Sequence, residues 1–324
     1  VENRGGSAHR STRLRALLIP LVAGCLAATG CTTLVGRLGY DHLPTLATWR
    51  VDGYLGLTAE QRALASRRIE SLHDWHRRTQ LDDYVALLRD VQRHAAAGTI
   101  DEARIRRWRL EVFKRFEPIA ERAAPAVAEV ATTLEPAQLA RMKDEIARDN
   151  DKLRREWIPG DRAARADARA KRYVERAEMF LGPLDAEQKR FARRMAAEAP
   201  ETEEAWFEQR LARQQDLLAT MERIRAERPD EATATRWMRE HLMRYVQPRD
   251  LPGRPFPESS LAAGDAMSAA LFARATPKQR DHLQRTLQEW IDLLESLKAA
   301  PQAKDAPPAK GAARERGAVP VAAN

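Results

Sequence analysis

T-P-K-Q-R-D-H-L-Q-R-T-L-Q-E-W-I-D-L-L-E-S-L-K, residues 276–298, is the stretch that decides the fold class. Leu283, Leu287, Trp290, Ile291, Leu294 and Leu297 return every three or four residues, which is the period of one helix face, with charged and amide side chains between them. Such a stripe needs a core to bury against, and the chain on its N-terminal side offers more stripes of the same kind. One runs from about Glu201 to Glu227 through Phe207, Leu211, Leu218, Met221 and Ile224 and stops before Pro229. Further helices are predicted over 58–76, 82–97, 101–116, 125–133, 135–157, 163–180, 185–199 and 230–245. Period-two alternation is nearly absent, so the reading is an all-α, irregular bundle of about ten helices. Pro248 to Pro257 (P-R-D-L-P-G-R-P-F-P) carries too much proline for a helix and is expected to be an extended connection before the last helix pair. Residues 299–324, rich in Ala, Pro, Lys and Gly, are expected to be a disordered tail.

A short signature recurs at four of the predicted helix starts: Leu57-Thr58-Ala59-Glu60-Gln61, Leu134-Glu135-Pro136-Ala137-Gln138, Leu184-Asp185-Ala186-Glu187-Gln188 and Ala275-Thr276-Pro277-Lys278-Gln279. Thr or Asp caps the first free amides, Ala or Pro suits the first helical position, and the glutamine reaches back to the cap. Helix capping alone explains the pattern at this level, and the unequal intervals exclude a regular solenoid.

At the other end, Arg10, Arg13 and Arg15 precede an apolar run from Ala16 to Gly30, which is shorter than the ~20 residues a spanning helix needs. Small residues Ala28, Thr29 and Gly30 lead into Cys31, as in a bacterial lipobox. Residues 1–30 are therefore expected to be a cleaved lipoprotein signal peptide, with Cys31 the acylated residue and 31–56 an apolar membrane-proximal segment that packs on a helical domain at 57–298. Cys25, preceded by Val22, Ala23 and Gly24, is a competing attachment site. These are the only two cysteines, so cleavage before Cys31 leaves no free thiol for a disulfide or a thiolate metal site. Two or more acyl chains would anchor the chain stably. Thr32 stands where enteric lipoproteins retained in the inner membrane carry aspartate, which favours the outer membrane and a periplasm-facing body.

The net charge of +8 is modest for 324 residues. Arginine far outnumbers lysine, but acidic residues are mixed through nearly every basic run, as in Arg141 to Glu156. No basic patch interleaved with aromatics and no known module points to nucleic acid.

The chain offers no recognisable catalytic constellation: no G-x-S-x-G, no phosphate-cradling glycine loop, no H-E-x-x-H. His73 and His76 sit one helical turn apart, but a metal needs a third ligand, and Asp74 and His94 are badly placed to be one. Asp149 and Asp151 lack the glycine and distal glutamate of a calcium loop. Asp82 and Asp83 read as capping residues. No metal or other cofactor is expected. Trp75-His76-Arg77 reads as a packing or partner-facing element, and Asp52 with Tyr54 as a hydrogen-bonded corner. With Trp49, these give the candidate partner-binding set Trp49, Asp52, Tyr54, Trp75 and His76.

L-T-A-E-Q resembles the LTxxQ motif of the Spy/CpxP-type periplasmic chaperones, all-helical proteins that bind unfolded or stressed envelope proteins. Leu57, Thr58 and Gln61 match in full and the other three copies in part; those chaperones are soluble and much shorter. A wider resemblance, over the first hundred residues, is to a family of uncharacterised, mostly helical proteobacterial lipoproteins. It is carried by Cys31, Leu34, Tyr40, Trp49, Asp52, Tyr54, Leu57 and Gln61, then Trp75-His76-Arg77, Leu81, Tyr84, Leu87 and Leu88. That resemblance implies an outer-membrane lipoprotein and supplies no activity. The R-x-x-F-D-Y signature of lipase-specific foldases has no counterpart here.

The function expected is that of a non-enzymatic, outer-membrane-anchored, periplasm-facing lipoprotein that binds an envelope protein or maintains the envelope. A chaperone for unfolded envelope proteins is the alternative, and a metal-assisted hydrolase around His73 and His76 a third reading from another class. The sequence leaves the oligomeric state open.

Overall fold

In a computed structural model, residues 32–246 and 256–299 are described. The expected leader with Cys25, the expected acylation site Cys31, most of the proline-rich connection and the expected tail from residue 300 lie outside them. The described residues form thirteen α-helices: α1 (Thr32–Asp41), α2 (Leu43–Leu55), α3 (Ala59–Thr79), α4 (Leu81–Ala96), α5 (Glu102–Lys114), α6 (Glu117–Thr132), α7 (Pro136–Trp157), α8 (Arg162–Leu181), α9 (Ala186–Glu198), α10 (Glu203–Glu227), α11 (Glu231–Val246), α12 (Glu258–Ala273) and α13 (Pro277–Ala299). None of them is long and apolar enough to cross a membrane.

The all-α class stands, with more helices than expected. The segment 35–56 packs on the body as two helices, α1 and α2. Gly36 lets α1 approach α13 closely: a Cβ there would meet Leu293 Cδ2 at 2.7 Å. α12 is one of the last helix pair. The helix expected to begin at Pro125 begins at Glu117, since Ala120, Ala124, Ala128 and Ala131 are buried along one face against α11 while the Pro125 ring faces solvent. Burial of that face offsets the hydrogen bond Pro125 cannot make. Pro125→Ala is therefore expected to raise stability by about 1–2 kcal/mol, read from the urea midpoint at unchanged slope; an unchanged or lower midpoint would count against it.

Two main cores form. The first joins α2, α3, α6, α7, α10 and α11 around Leu55, Leu57, Leu134, Leu139, Met221, Ile224 and Met238. The second joins α8, α9, α12 and α13 around Leu181, Leu184, Met267, Leu271, Leu283 and Leu287, with Leu88 and Val91 of α4 packed against it. A small cluster of Leu81, Leu293 and Leu297, with Tyr40 and Tyr84, ties α1 and α4 to the end of α13. A bidentate pair, partly exposed Arg109 to buried Asp265 at 2.8–3.1 Å, ties α5 to α12.

The four signatures do more than cap. Thr58, Asp185 and Thr276 each accept from the glutamine's own backbone N–H, and at Glu135 the carbonyl does so instead. Every glutamine Oε1 in turn accepts the N–H of its own cap residue at 3.0 Å. The glutamines then pair across space. Gln61 and Gln138 exchange reciprocal amide bonds of 3.1 and 2.8 Å; Gln188 and Gln279 exchange bonds of 2.8 and 2.9 Å. The remaining donor of each reaches the carbonyl two residues before its partner's cap: Thr133, Gly56, Arg274 and Pro183. Both donors and both acceptor positions of every amide are thus used.

These two clasps close two cores in the same way. The residue before each cap, Leu57, Leu134, Leu184 or Ala275, is buried in the core beside it. Capping alone therefore does not explain the signature, because a glutamate would cap as well but has no hydrogen to donate to its opposite number.

Candidate functional site

The five candidate residues do not converge. Trp49 lies on the outer face of α2, 53 % exposed. Asp52 fixes the α2–α3 turn: its Oδ1 accepts the Leu57 N–H at 2.9 Å and its Oδ2 pairs with Arg62. The expected Asp52–Tyr54 corner does not form. Tyr54 instead donates to Asp149 of α7, while Arg50 donates to the Tyr54 hydroxyl at 2.6 Å and to Asp149 at 2.7 Å. Burial, with the Asp149 carboxylate beside it, pushes the Tyr54 hydroxyl up to about 12.

His76 sits in a knot between three helices. Its Nδ1 meets the Tyr40 hydroxyl of α1 at 2.9 Å and its Nε2 the Tyr84 hydroxyl of α4 at 3.0 Å. A neutral imidazole suits this geometry, with one nitrogen accepting and the other donating. Burial, then the neighbouring His73, lowers the His76 pKa to about 4. Burial also raises both tyrosines, Tyr84 to about 12. The His73 ring packs on the Tyr40 ring with centroids 4.5 Å apart. Arg77 also lies over that tyrosine ring and pairs with Asp41. Both His76 nitrogens are thus committed to tyrosines, and no three His, Cys, Asp or Glu side chains gather to hold a metal among the described residues.

Trp75, one residue away, faces differently. It lines an open cleft of about 900 Å³ together with Gln80 and Asp83 of the α3–α4 corner, Glu111, Lys114 and Arg115 at the end of α5, Glu117, Pro118, Glu121 and Arg122 of α6, and Met243 of α11. Two of its four carboxylates are held by arginines. Glu111 is held by Arg115 at 2.9 Å and Glu121 by Arg239 at 2.7 Å, and these hydrogen bonds keep both carboxyls below the ordinary glutamate range. Arg115 also reaches the Asp83 carbonyl, tying α5 to α4. Lys114 and Arg122 form no ion pair among the described residues. Phe116, at the α5–α6 corner between these lining residues, is 49 % exposed. The cleft therefore offers the Trp75 ring, Met243 and Pro118, and the cations Lys114 and Arg122 among the carboxylates of Asp83 and Glu117.

Sequence reasoning found Trp75 but none of its companions, because four helices and two corners supply them and no local pattern marks them. It also missed the Asp216 centre, where His241, Arg244 and Tyr245 of α11 converge on one carboxylate of α10 at 2.6–2.9 Å. Most of the motif residues that prompted the lipoprotein-family resemblance serve the fold: Tyr40, His76, Arg77, Leu81 and Tyr84 build the knot, and Asp52, Leu57 and Gln61 build the first clasp.

No curated protein and no solved structure matches the chain. Residues 53–242, more than half of the chain and including Trp75, the knot residues of α3 and α4 and three of the four clasp glutamines, match the profile of a family of unknown function, DUF6279, and the chain belongs to that family.

Proposed function

We propose that the protein is a non-enzymatic lipoprotein, held at the outer membrane by acylated Cys31 and facing the periplasm, that binds a segment of an envelope protein in the Trp75 cleft. The observation that carries the binding reading is the cleft: Trp75 lines it together with Lys114 and Arg122, exposed Phe116 lies in the corner between lining residues 115 and 117, and Glu111 and Glu121 are already neutralised by their own arginines. Its chemistry suits a polypeptide with apolar side chains and charges of both signs. Anchoring is supported by the lipobox leading into Cys31 and by the two-chain arithmetic of acyl attachment.

Each half has its own test. Labelled palmitate is expected to enter the wild-type chain and the Cys25→Ser variant but not Cys31→Ser; equal labelling of Cys31→Ser would overturn the anchor. For the cleft, a photo-crosslinking residue at position 75 or 116 is expected to trap a defined envelope protein in cells, and one at exposed Glu187 is not. Trp75→Ala is expected to weaken binding of that protein about tenfold, the usual scale for an aromatic anchor. Equal capture from all three positions, or from none, would sink the reading.

The openness of the cleft favours a second reading, a chaperone for unfolded envelope proteins. Purified mature protein would then suppress aggregation of a denatured client at stoichiometric amounts, and Trp75→Ala would lose that effect.

A further inference from the structure

The large apolar side chains left exposed among the described residues fall in two places. Leu110, Val112 and Phe116 belong to α5 and the corner after it; Leu38, Leu46 and Trp49, at 50, 37 and 53 % exposure, belong to α1 and α2. The second group forms a stripe. Helical hydrogen bonding carries across the break at His42, from His42 N–H to Leu38 C=O at 3.1 Å and from Leu46 N–H to His42 C=O at 3.0 Å. At 3.6 residues per turn, Leu38, His42, Thr45, Leu46, Trp49 and Gly53 then fall within an arc of about 100°, and all six are exposed. The arc itself holds no carboxylate; Asp52 and exposed Asp41 border one edge of it, each paired with an arginine of α3, Arg62 and Arg77. The opposite face does the packing: Gly36 against Leu293, Tyr40 against His76, Leu55 in the first core and Tyr54 on Asp149.

We infer that this stripe lies on the surface of the phospholipid bilayer and so sets the orientation of the bundle; the inference rests on the anchoring proposed above. Leu38 stands seven residues beyond Cys31, roughly 10 Å of helix, and the whole rod is only roughly 36 Å long. Any anchor at Cys31 therefore holds the stripe within reach of the headgroups. Three side chains are too few for a stable protein interface, which covers ~800 Å² on each partner. They suffice at a membrane, where the acyl chains already hold the surface close and each weak contact becomes intramolecular. Tryptophan is also the side chain that settles at headgroup depth.

The mature body beyond Cys31 has no cysteine of its own, so a single introduced thiol can carry a fluorophore without competition. Acylated full-length chains bearing Leu38→Cys, Leu46→Cys or Trp49→Cys, with Glu187→Cys on α9 as the reference, would be reconstituted on vesicles of phosphatidylethanolamine and phosphatidylglycerol. A nitroxide borne on the lipid is expected to quench the three stripe positions at least about threefold more than position 187. Aqueous iodide is expected to show the reverse order. Vesicle-bound protein whose four positions are quenched alike by iodide would overturn the inference and leave the anchor standing. Shielding from iodide without quenching from lipid would also overturn it, because the stripe would then be covered by protein such as a second copy. A chain that takes up no palmitate and stays off the vesicles would remove the anchor, and the inference with it.

Discussion

Gln188→Glu is expected to destabilise the folded chain by about 3 kcal/mol at neutral pH, the scale of an uncompensated buried charge, measured by urea unfolding followed by circular dichroism. Gln188 and Gln279 are only 4 and 7 % exposed. A carboxylate at 188 would still accept the Asp185 N–H, but it would face Gln279 Oε1 with no hydrogen between two acceptors and would release the Arg274 carbonyl. Gln279 cannot turn its amide over to help, since its oxygen is held by the Thr276 N–H and its nitrogen by the Pro183 carbonyl. The deficit should shrink in acid. Only the protonated carboxyl can donate, so its folded pKa lies above the ordinary glutamate value of about 4.3. The recovered stability is then full below about pH 4.3 and is lost as pH rises through the folded value. Gln138→Glu in the first clasp should cost less, about 1–2 kcal/mol, because Gln138 is only half-buried. A Gln188→Glu chain as stable as wild type at pH 7 would show that the reciprocal amide pair contributes nothing.

The second large effect belongs to His76. Its imidazole is neutral in the folded chain down to about pH 4, while in the unfolded chain it takes up a proton from about pH 6.5. Between these values the unfolded state binds more protons, so stability is full above about pH 6.5 and falls as the pH drops towards 4. The loss at the low end is on the order of 3 kcal/mol. Burial lowers His241 too, so it adds in the same direction. The His76 share is therefore read as the difference from a His76→Gln chain, whose stability should follow pH less steeply over that interval. Parallel curves for the two chains would remove His76 as the cause. Tyr84→Phe, which takes away one of the two ring partners, is expected to cost about 1–2 kcal/mol at pH 7, a smaller effect than acidification.

The helices that rest on a strong apolar stripe were legible in the sequence, and α10 and α13 lie close to their expected limits. α1 and α2 were not read as helices because Gly36, Gly39, Gly53 and Pro44 dilute the 3.6-residue period with residues of low helix propensity. Their order comes from docking on α13, α3 and α7. Pro125 misled in the same way, as a local signal overruled by the burial of the alanines around it. The clasp glutamines left a readable trace: glutamine stood at all four third positions, where a glutamate could cap equally well. Its meaning depends on which helix ends meet, and no local pattern fixes that. The candidate binding residues were chosen by residue type, and their type decided nothing about where they face. Trp75 opens on a cleft, His76 beside it is sealed between two tyrosines, and Asp52 serves its own turn.

The seat of α1 has a temporal consequence. Leu293 and Leu297, on which Tyr40 and Gly36 rest, come from the last described helix, more than 250 residues after α1 in the chain. A polypeptide emerging from the N-terminus onward presents α1, and the α3 side chains that hold Tyr40, long before the Leu293 and Leu297 part of the seat exists. Contacts of such span are the slowest to form, so completion of the bundle is a late event that awaits release of nearly the whole chain. Until then the side of α1 that faces α13 and the face of α4 that α13 covers stay uncovered, the interval in which a nascent chain most easily sticks to its neighbours.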